Sequence, residues 1–187
     1  ISACLVGSEM CIRDSAIGAR YAGDYIGSFS DFACFSFHTC KHITTGDGGM
    51  FVTFHNEYAE KAKSRRWYGI DRDKRFAPSI LGYADYDVTQ LGYKYNMNDI
   101  AGTIGVEQMK YINIPIRRRM EIAEFYRDEL EKVKGITLME WKNDRVSANW
   151  LFPIHVDRRI KFCEMMQKNK IAISIAFKRN DVYTIFG

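Results

Sequence analysis

The chain is expected to be an α/β protein assembled from parts of two domains, and three features of its sequence predict this. Residues 31–38 alternate apolar and polar side chains as a half-buried strand does, and residues 50–54 read as the strand that returns beside it. Residues 56–68 and 98–111 read as helices, and from Ile116 apolar residues repeat at spacings of three and four, the period of a helix with one buried face. The last third then runs strand, helix, strand.

Along residues 31–38 the alternation throws Phe35 and Phe37 to one face and Cys34, Ser36 and His38 to the other. Lys41 follows, then a turn rich in glycine (Gly46, Gly48, Gly49), and residues 50–54 return as the second strand. Residues 56–68 read as a helix ended by Gly69, and residues 71–89 as a long polar and aromatic loop. Asn98 or Asp99 is placed to cap a helix reaching about Tyr111, with Ile100, Ala101, Ile104 and Gly105 as a small and branched face. Pro115 is expected to break the chain. From Ile116, the positions Met120, Ala123, Tyr126, Leu130 and Val133 continue a long amphipathic helix, expected to cross between domains. Residues 150–156 and 171–177 read as strands, separated by a helix that Asp157 could cap.

Composition narrows the class. The 187 residues are 47% hydrophobic and 14% aromatic, enough for one substantial core or for parts of two. No apolar run approaches the roughly 20 residues of a transmembrane helix, so the expected location is the cytoplasm, with no membrane partner. Of the five cysteines, Cys4 and Cys11 fall in a doubtful leader, leaving Cys34, Cys40 and Cys163 as free thiols without framework spacing. The net charge of +4 says little about partners. Lys61, Lys63, Arg65, Arg66 and the Arg117–Arg118–Arg119 run could form a basic phosphate- or nucleic-acid-binding module, but acids interleave with them and no nucleic-acid motif accompanies them. Cys34, His38, Cys40 and His42 match no zinc spacing, and a flat strand cannot wrap a tetrahedral ion, so no metal is expected.

Lys41 is the residue whose setting points to chemistry. A lysine after a strand is ordinarily solvated, but this one stands between an aromatic strand and a glycine turn, where an amine is held in place and partly desolvated. The run FSFHTCKHITTGDGGM (residues 35–50) and, in the same order, YDVTQLGYKYNMNDIAGTIGVEQM (residues 86–109) resemble two motifs of the DegT/StrS-type sugar aminotransferases, pyridoxal-phosphate enzymes of fold type I. The resemblance runs from about residue 16 to the last residue and is weakest in the final third. One departure is Thr39-Cys40, where family members often carry Pro-Thr or Ala-Ile before the lysine.

The resemblance implies a fold and a reaction. Residues 16–115 would form the C-terminal part of a three-layer α/β/α large domain, and residues 116–187 the opening of a small α/β domain with its linking helix. The cofactor would be pyridoxal 5′-phosphate, and the enzyme a homodimer. It would move an amino group from glutamate to a 3-keto or 4-keto nucleotide-linked sugar, in amino-sugar or surface-polysaccharide biosynthesis, with ping-pong kinetics. Lys41 would be the Schiff-base lysine and then the general acid/base; the sister dehydratases carry histidine there. Ser36 resembles the serine that binds the cofactor phosphate, and Asn96 the asparagine that reaches the neighbouring subunit's phosphate. His38 either lines the pocket or is a satisfied core histidine. Arg66 and Arg72, with Arg65, either meet the sugar nucleotide's diphosphate or form a solvated helix end.

The termini carry two further expectations. Residues 5–14, LVGSEMCIRD, match a translated sequencing adapter, so residues 1–15 are set aside as a non-native leader. Counting back from Ala16 places the family's pyridine-pairing acid near Ile12, where no acid stands, and Asp14 is out of phase with that position. The helix N-terminus that would cup the phosphate and the aromatic that would stack on the ring are not in these residues either, and the small domain is expected to continue past Gly187. An inactive fragment that binds cofactor weakly or not at all is therefore the alternative reading.

Overall fold

The computed structural model describes residues 10–12, 15–74, 77–78, 80–175 and 177–186 of the chain. Its first sheet has three strands: β1 (Met10–Ile12), β4 (Phe32–Ser36) and β5 (Gly49–Thr53), with β4 in the middle. Between β1 and β4 lies the hairpin of β2 (Arg20–Tyr21) and β3 (Asp24–Tyr25). β4 and β5 pair antiparallel from Phe32↔Thr53 to Ser36↔Gly49, as the alternation predicts. Gly49 is required at its place in the ladder, because a Cβ there would lie 2.7 Å from the Phe35 carbonyl oxygen.

β1 pairs parallel with β4 in the register Ile12↔Cys34. The described part of the leader therefore belongs to the sheet, and a reading that starts at Ala16 leaves this strand out. Asp14 lies outside the described residues.

Helix α1 (Asn56–Arg65) stops three residues short of the predicted end at Tyr68. The last turn is lost to a competing pairing: Trp67 bridges to Lys94, Tyr68 donates to the Tyr93 carbonyl at 3.1 Å, and Tyr93 donates to that of Arg65 at 2.8 Å. Gly69 still closes the helix, with φ at +77° and its N–H on the Ser64 carbonyl at 3.0 Å. The expected loop over residues 71–89 holds more structure than predicted, namely a 3-10 turn at Arg72–Lys74 and a ladder of β6 (Ala77–Pro78) with β7 (Ala84–Asp85).

Helix α2 (Asp99–Met109) starts as expected, Asn98 Oδ1 accepting from the Ala101 N–H at 2.8 Å. The predicted break at Pro115 is not there. Helix α3 (Asn113–Leu130) carries Pro115 in its first turn, where the missing N–H would have no intrahelical partner. The break falls earlier, in the turn at residues 110–112.

Beyond α3, β8 (Ile136–Leu138) pairs antiparallel with β10 (Ile154–Val156), and α4 (Arg159–Lys168) follows. Arg158, not Asp157, is the N-cap of α4, and it makes no side-chain cap bond. Among the described residues, 171–177 forms no strand ladder. Its alternation is present, but among the described residues no strand pairs with it, and Ile171 donates instead to the Met166 carbonyl at 2.9 Å. β9 (Arg145–Val146) joins the β2–β3 hairpin instead, so one small sheet spans the predicted boundary at residue 115.

The buried apolar residues are Ala33 and Phe37 from β4 and its exit, Ile43 from the lysine loop, Ala123 from α3 and Ala148. The core thus gathers around the residues that flank Lys41, with contributions from both predicted domains.

Candidate active site

Residues 37–48 connect β4 to β5 and carry Lys41. The loop keeps its shape through main-chain bonds: Phe37 donates to the Gly48 carbonyl at 2.9 Å, Thr45 to that of Phe37 at 2.9 Å, and Lys41 to that of His38 at 3.0 Å. Ser36 Oγ accepts from the His38 N–H at 3.3 Å. Helix α2 grips the loop at two points, since Gln108 Nε2 donates to the Thr44 carbonyl at 2.7 Å and Gln108 Oε1 accepts from its N–H at 3.0 Å.

The half-buried side chain of Lys41 donates to Ser15 Oγ at 2.6 Å and lies over the Trp150 ring, its Nζ 3.8 Å from the ring centroid. Trp150 Nε1 donates to the Cys40 carbonyl at 2.8 Å, and Arg119 Nη1 holds the Trp150 carbonyl at 3.1 Å.

His42, next to the lysine, is buried and its Nε2 bonds the Ala148 carbonyl at 2.7 Å. A carbonyl only accepts, so Nε2 carries the hydrogen. Burial pushes the His42 pKa down; the bond to Ala148 opposes this, and the charges of Arg119 and Lys41 add to the lowering. The unfolded chain therefore takes up a proton at His42 more readily than the folded one. Its contribution to stability is complete above the unfolded pKa of about 6.5 and is lost as pH falls through the folded pKa. Denaturation midpoints measured from pH 7.5 down to 5 are expected to fall. His42→Gln, which keeps a donor, is expected to remove part of that slope at a cost of about 1 kcal/mol. An unchanged slope would show that His42 does not carry it.

The other predicted residues separate. Ser36 closes β4, half-buried, five residues before Lys41 and on the same connection. His38 is exposed, with Nδ1 3.4 Å from Cys40 Sγ, which corrects the core-histidine reading. Asn96 is half-buried; its Nδ2 donates to the Met97 carbonyl at 3.3 Å, while Oδ1 is buried with no hydrogen-bond partner. Arg66 and Arg72 are exposed and belong to another cluster. There the Arg72 guanidinium lies 4.8 Å and Lys94 Nζ 3.3 Å from the centre of the Trp67 ring, with Arg66 beside it in sequence. His38 and Cys40 lie beside one another, while His42 is turned to the Ala148 carbonyl, and burial pushes the Cys34 thiol up. Among the described residues no group of three or more His, Cys, Asp or Glu could hold a metal, and no helix is long and apolar enough to cross a membrane.

Ser15, Gln108, Arg119 and Trp150 escaped the sequence reading. Trp150 had one signal, a large aromatic with a donor N–H at the start of a predicted strand. The other three lie 26 to 78 residues away in sequence and had none.

These residues suit pyridoxal phosphate. They offer a half-buried amine between an indole face and a hydroxyl, and a serine hydroxyl at the end of β4, five residues before that amine. A parallel strand beside β4 and a lysine loop at the end of β4 place the chain in the class of fold type I pyridoxal-phosphate enzymes. The profile of the DegT/DnrJ/EryC1/StrS aminotransferase family matches residues 10–184, and the chain belongs to that family.

An uncharacterized protein of Methanocaldococcus jannaschii is 42% identical over 170 residues, which covers 87% of this chain and 44% of that protein. The UDP-4-amino-4,6-dideoxy-N-acetyl-beta-L-altrosamine transaminase of Campylobacter jejuni is 34% identical over 139 residues, covering 74% of this chain and 35% of the relative. The crystal structure of the sugar aminotransferase CalS13 from Micromonospora echinospora superposes with a TM-score of 0.84 at 33% identity, covering 95% of this chain and 46% of that one. The chain thus spans about half the length of its relatives or less. The family match begins inside the segment expected to be a leader.

Proposed function

We propose that this chain serves a pyridoxal-phosphate aminotransferase that moves an amino group from glutamate to a keto nucleotide-sugar, in the cytoplasm, for amino-sugar or surface-polysaccharide biosynthesis. The observation that carries the reading is Lys41, held by its backbone and its side chain at the end of β4, within the family's motif. The transaminase relative acts on a UDP-linked sugar by its name, which supports a nucleotide-sugar acceptor here.

Bound pyridoxal phosphate would supply an electron sink for the carbanion left when a proton leaves the donor's Cα. Lys41 would hold the cofactor through its amine, and once released the same amine would take up and return the donor's Cα proton. The Ser36 hydroxyl donates to a phosphate oxygen. Asn96 does so from a second copy of the chain, in a homodimer. Its Nδ2 has a second hydrogen to donate beside the one given to the Met97 carbonyl, and the exposure of Leu91, Tyr95 and Ile100 (76%, 73% and 76%), near it in sequence, suits a face that an assembled protein covers. His38, exposed on the same loop, lines the pocket. Arg66 and Arg72 are proposed for the sugar nucleotide's diphosphate, a role their separate cluster supports less well. By the same logic, the 187 residues alone hold cofactor weakly.

A basic nucleic-acid surface has less support, since Lys61 pairs with Glu57 at 2.5 Å, Lys63 with Glu60 at 2.6 Å and Arg118 with Glu121 at 3.0 Å.

The test is absorbance of the purified chain with added pyridoxal phosphate, then borohydride reduction and peptide mapping. A stable new band with label on Lys41 supports the reading. Label spread over many lysines, or none on a folded chain at saturating cofactor, removes its support from this chain.

A further inference from the structure

We propose that Trp150 is a positioning residue for Lys41, its ring face giving the lysine ammonium a fixed resting place beside the site. The proposal deepens the reading of Lys41 as the cofactor lysine and rests on it for its meaning in the reaction. One side chain holds both ends of the lysine. The indole Nε1 donates to the Cys40 carbonyl at 2.8 Å, fixing the peptide that leads into Lys41, while Lys41 Nζ sits 3.8 Å from the ring centroid.

Trp150 is itself fixed from two sides. Arg119 of α3 holds its carbonyl at 3.1 Å, and His42 holds the carbonyl of Ala148, two residues earlier, at 2.7 Å. Between them Asn149 bends the chain at φ +49°, with its N–H on Ser147 Oγ at 3.1 Å and its Nδ2 on the Ser147 carbonyl at 3.3 Å. The residues around Trp150 thus form a bracket between α3 and the lysine loop, with Trp150 itself 110 residues from Cys40 in sequence.

The chemistry of an aromatic face suits this task. A lysine that alternates between a covalent bond to cofactor and a released amine needs a place close by when released. An indole ring attracts the cation through its quadrupole and is not a base, so it keeps the amine near without taking its proton.

The test uses the whole chain and three variants: Trp150→Phe keeps a ring and loses the N–H, while Trp150→Met and Trp150→Leu lose both. Circular dichroism and denaturation midpoints identify which of them are folded. The first readout needs no cofactor: the rate at which an N-hydroxysuccinimide ester acylates Lys41, by peptide mapping against the other lysines. Losing the ring is expected to speed acylation of Lys41 by roughly fivefold, and Trp150→Phe is expected to stay within about twofold of the parent chain. In the second readout, the share of borohydride-fixed pyridoxal phosphate found on Lys41 is expected to fall by roughly fivefold in Trp150→Met and to persist in Trp150→Phe.

An unchanged acylation rate in a folded ringless variant overturns the proposal. So does an equal rise in Trp150→Phe, which would assign the hold to the N–H. If acylation behaves as expected while the parent chain fixes cofactor on its lysines without preference, Trp150 positions Lys41 and it is the cofactor reading that fails.

Discussion

Lys41→Ala is expected to abolish fixation of pyridoxal phosphate at this loop and to lower transamination by the assembled enzyme by roughly 10³-fold or more. The size follows from two roles resting on one amine. On the proposed reading that amine would both hold the cofactor and move the proton, and no neighbour offers both. Ser15 offers a hydroxyl 2.6 Å away, Trp150 a ring, and His42 a nitrogen already committed to Ala148. The cost in stability is expected to be about 1 kcal/mol, because Lys41 is half-buried and its contacts include a hydrogen bond to Ser15 and a cation–π contact with Trp150. Lys41→Arg separates charge from chemistry. A guanidinium can still lie over Trp150, yet it cannot form the covalent bond, so the fold should persist and cofactor fixation should not. Full activity in either variant would end the assignment.

Ile43→Ala is expected to lower the unfolding free energy by about 2–4 kcal/mol, seen as a lower denaturant midpoint with the slope unchanged. Ile43 is 1% exposed, and with Ser30 it is the largest fully buried side chain among the described residues. It sits two residues from Lys41 and two from Thr45, the residue that bonds back to Phe37. Its cavity would therefore open under the lysine loop itself, where the other buried apolar residues, apart from Phe37, are alanines with little volume to spare. Against a typical total of about 5–15 kcal/mol, that loss is large. Ile43→Val, which removes one methylene, should cost about 1 kcal/mol and leave the loop in place. A loss under about 0.5 kcal/mol for the alanine variant would mean that Ile43 does not anchor the loop.

Much of the fold was legible from period and punctuation. The strand pair around Lys41, the Asn98 cap and the amphipathic helix through Ala123 all follow from local rules, and each appears where those rules place it. Two departures came from distant segments that outcompeted local preference: the end of α1 yielded to residues 93–94, and β9 joined the β2–β3 hairpin across the predicted boundary at residue 115. Residues 171–177 differ, since their alternation meets no ladder among the described residues. Pro115 was a different failure, since a breaker in the middle of a helix is harmless in its first turn.

By itself the sequence determined the α/β class and the family, and it singled out Lys41 as the candidate, because alternation, glycine spacing and a motif around Lys41 are properties of adjacent residues. The surroundings of Lys41 were decided by the tertiary structure alone. Ser15, Gln108, Arg119, Ala148 and Trp150 meet the lysine loop only after the chain has folded back on itself. The separation of Arg66 and Arg72 into a cluster around Trp67 was settled in the same way. The physical reason is range: backbone periodicity acts over a few residues and leaves a pattern, whereas a ring face or a carbonyl brought from 100 residues away leaves none until the core closes.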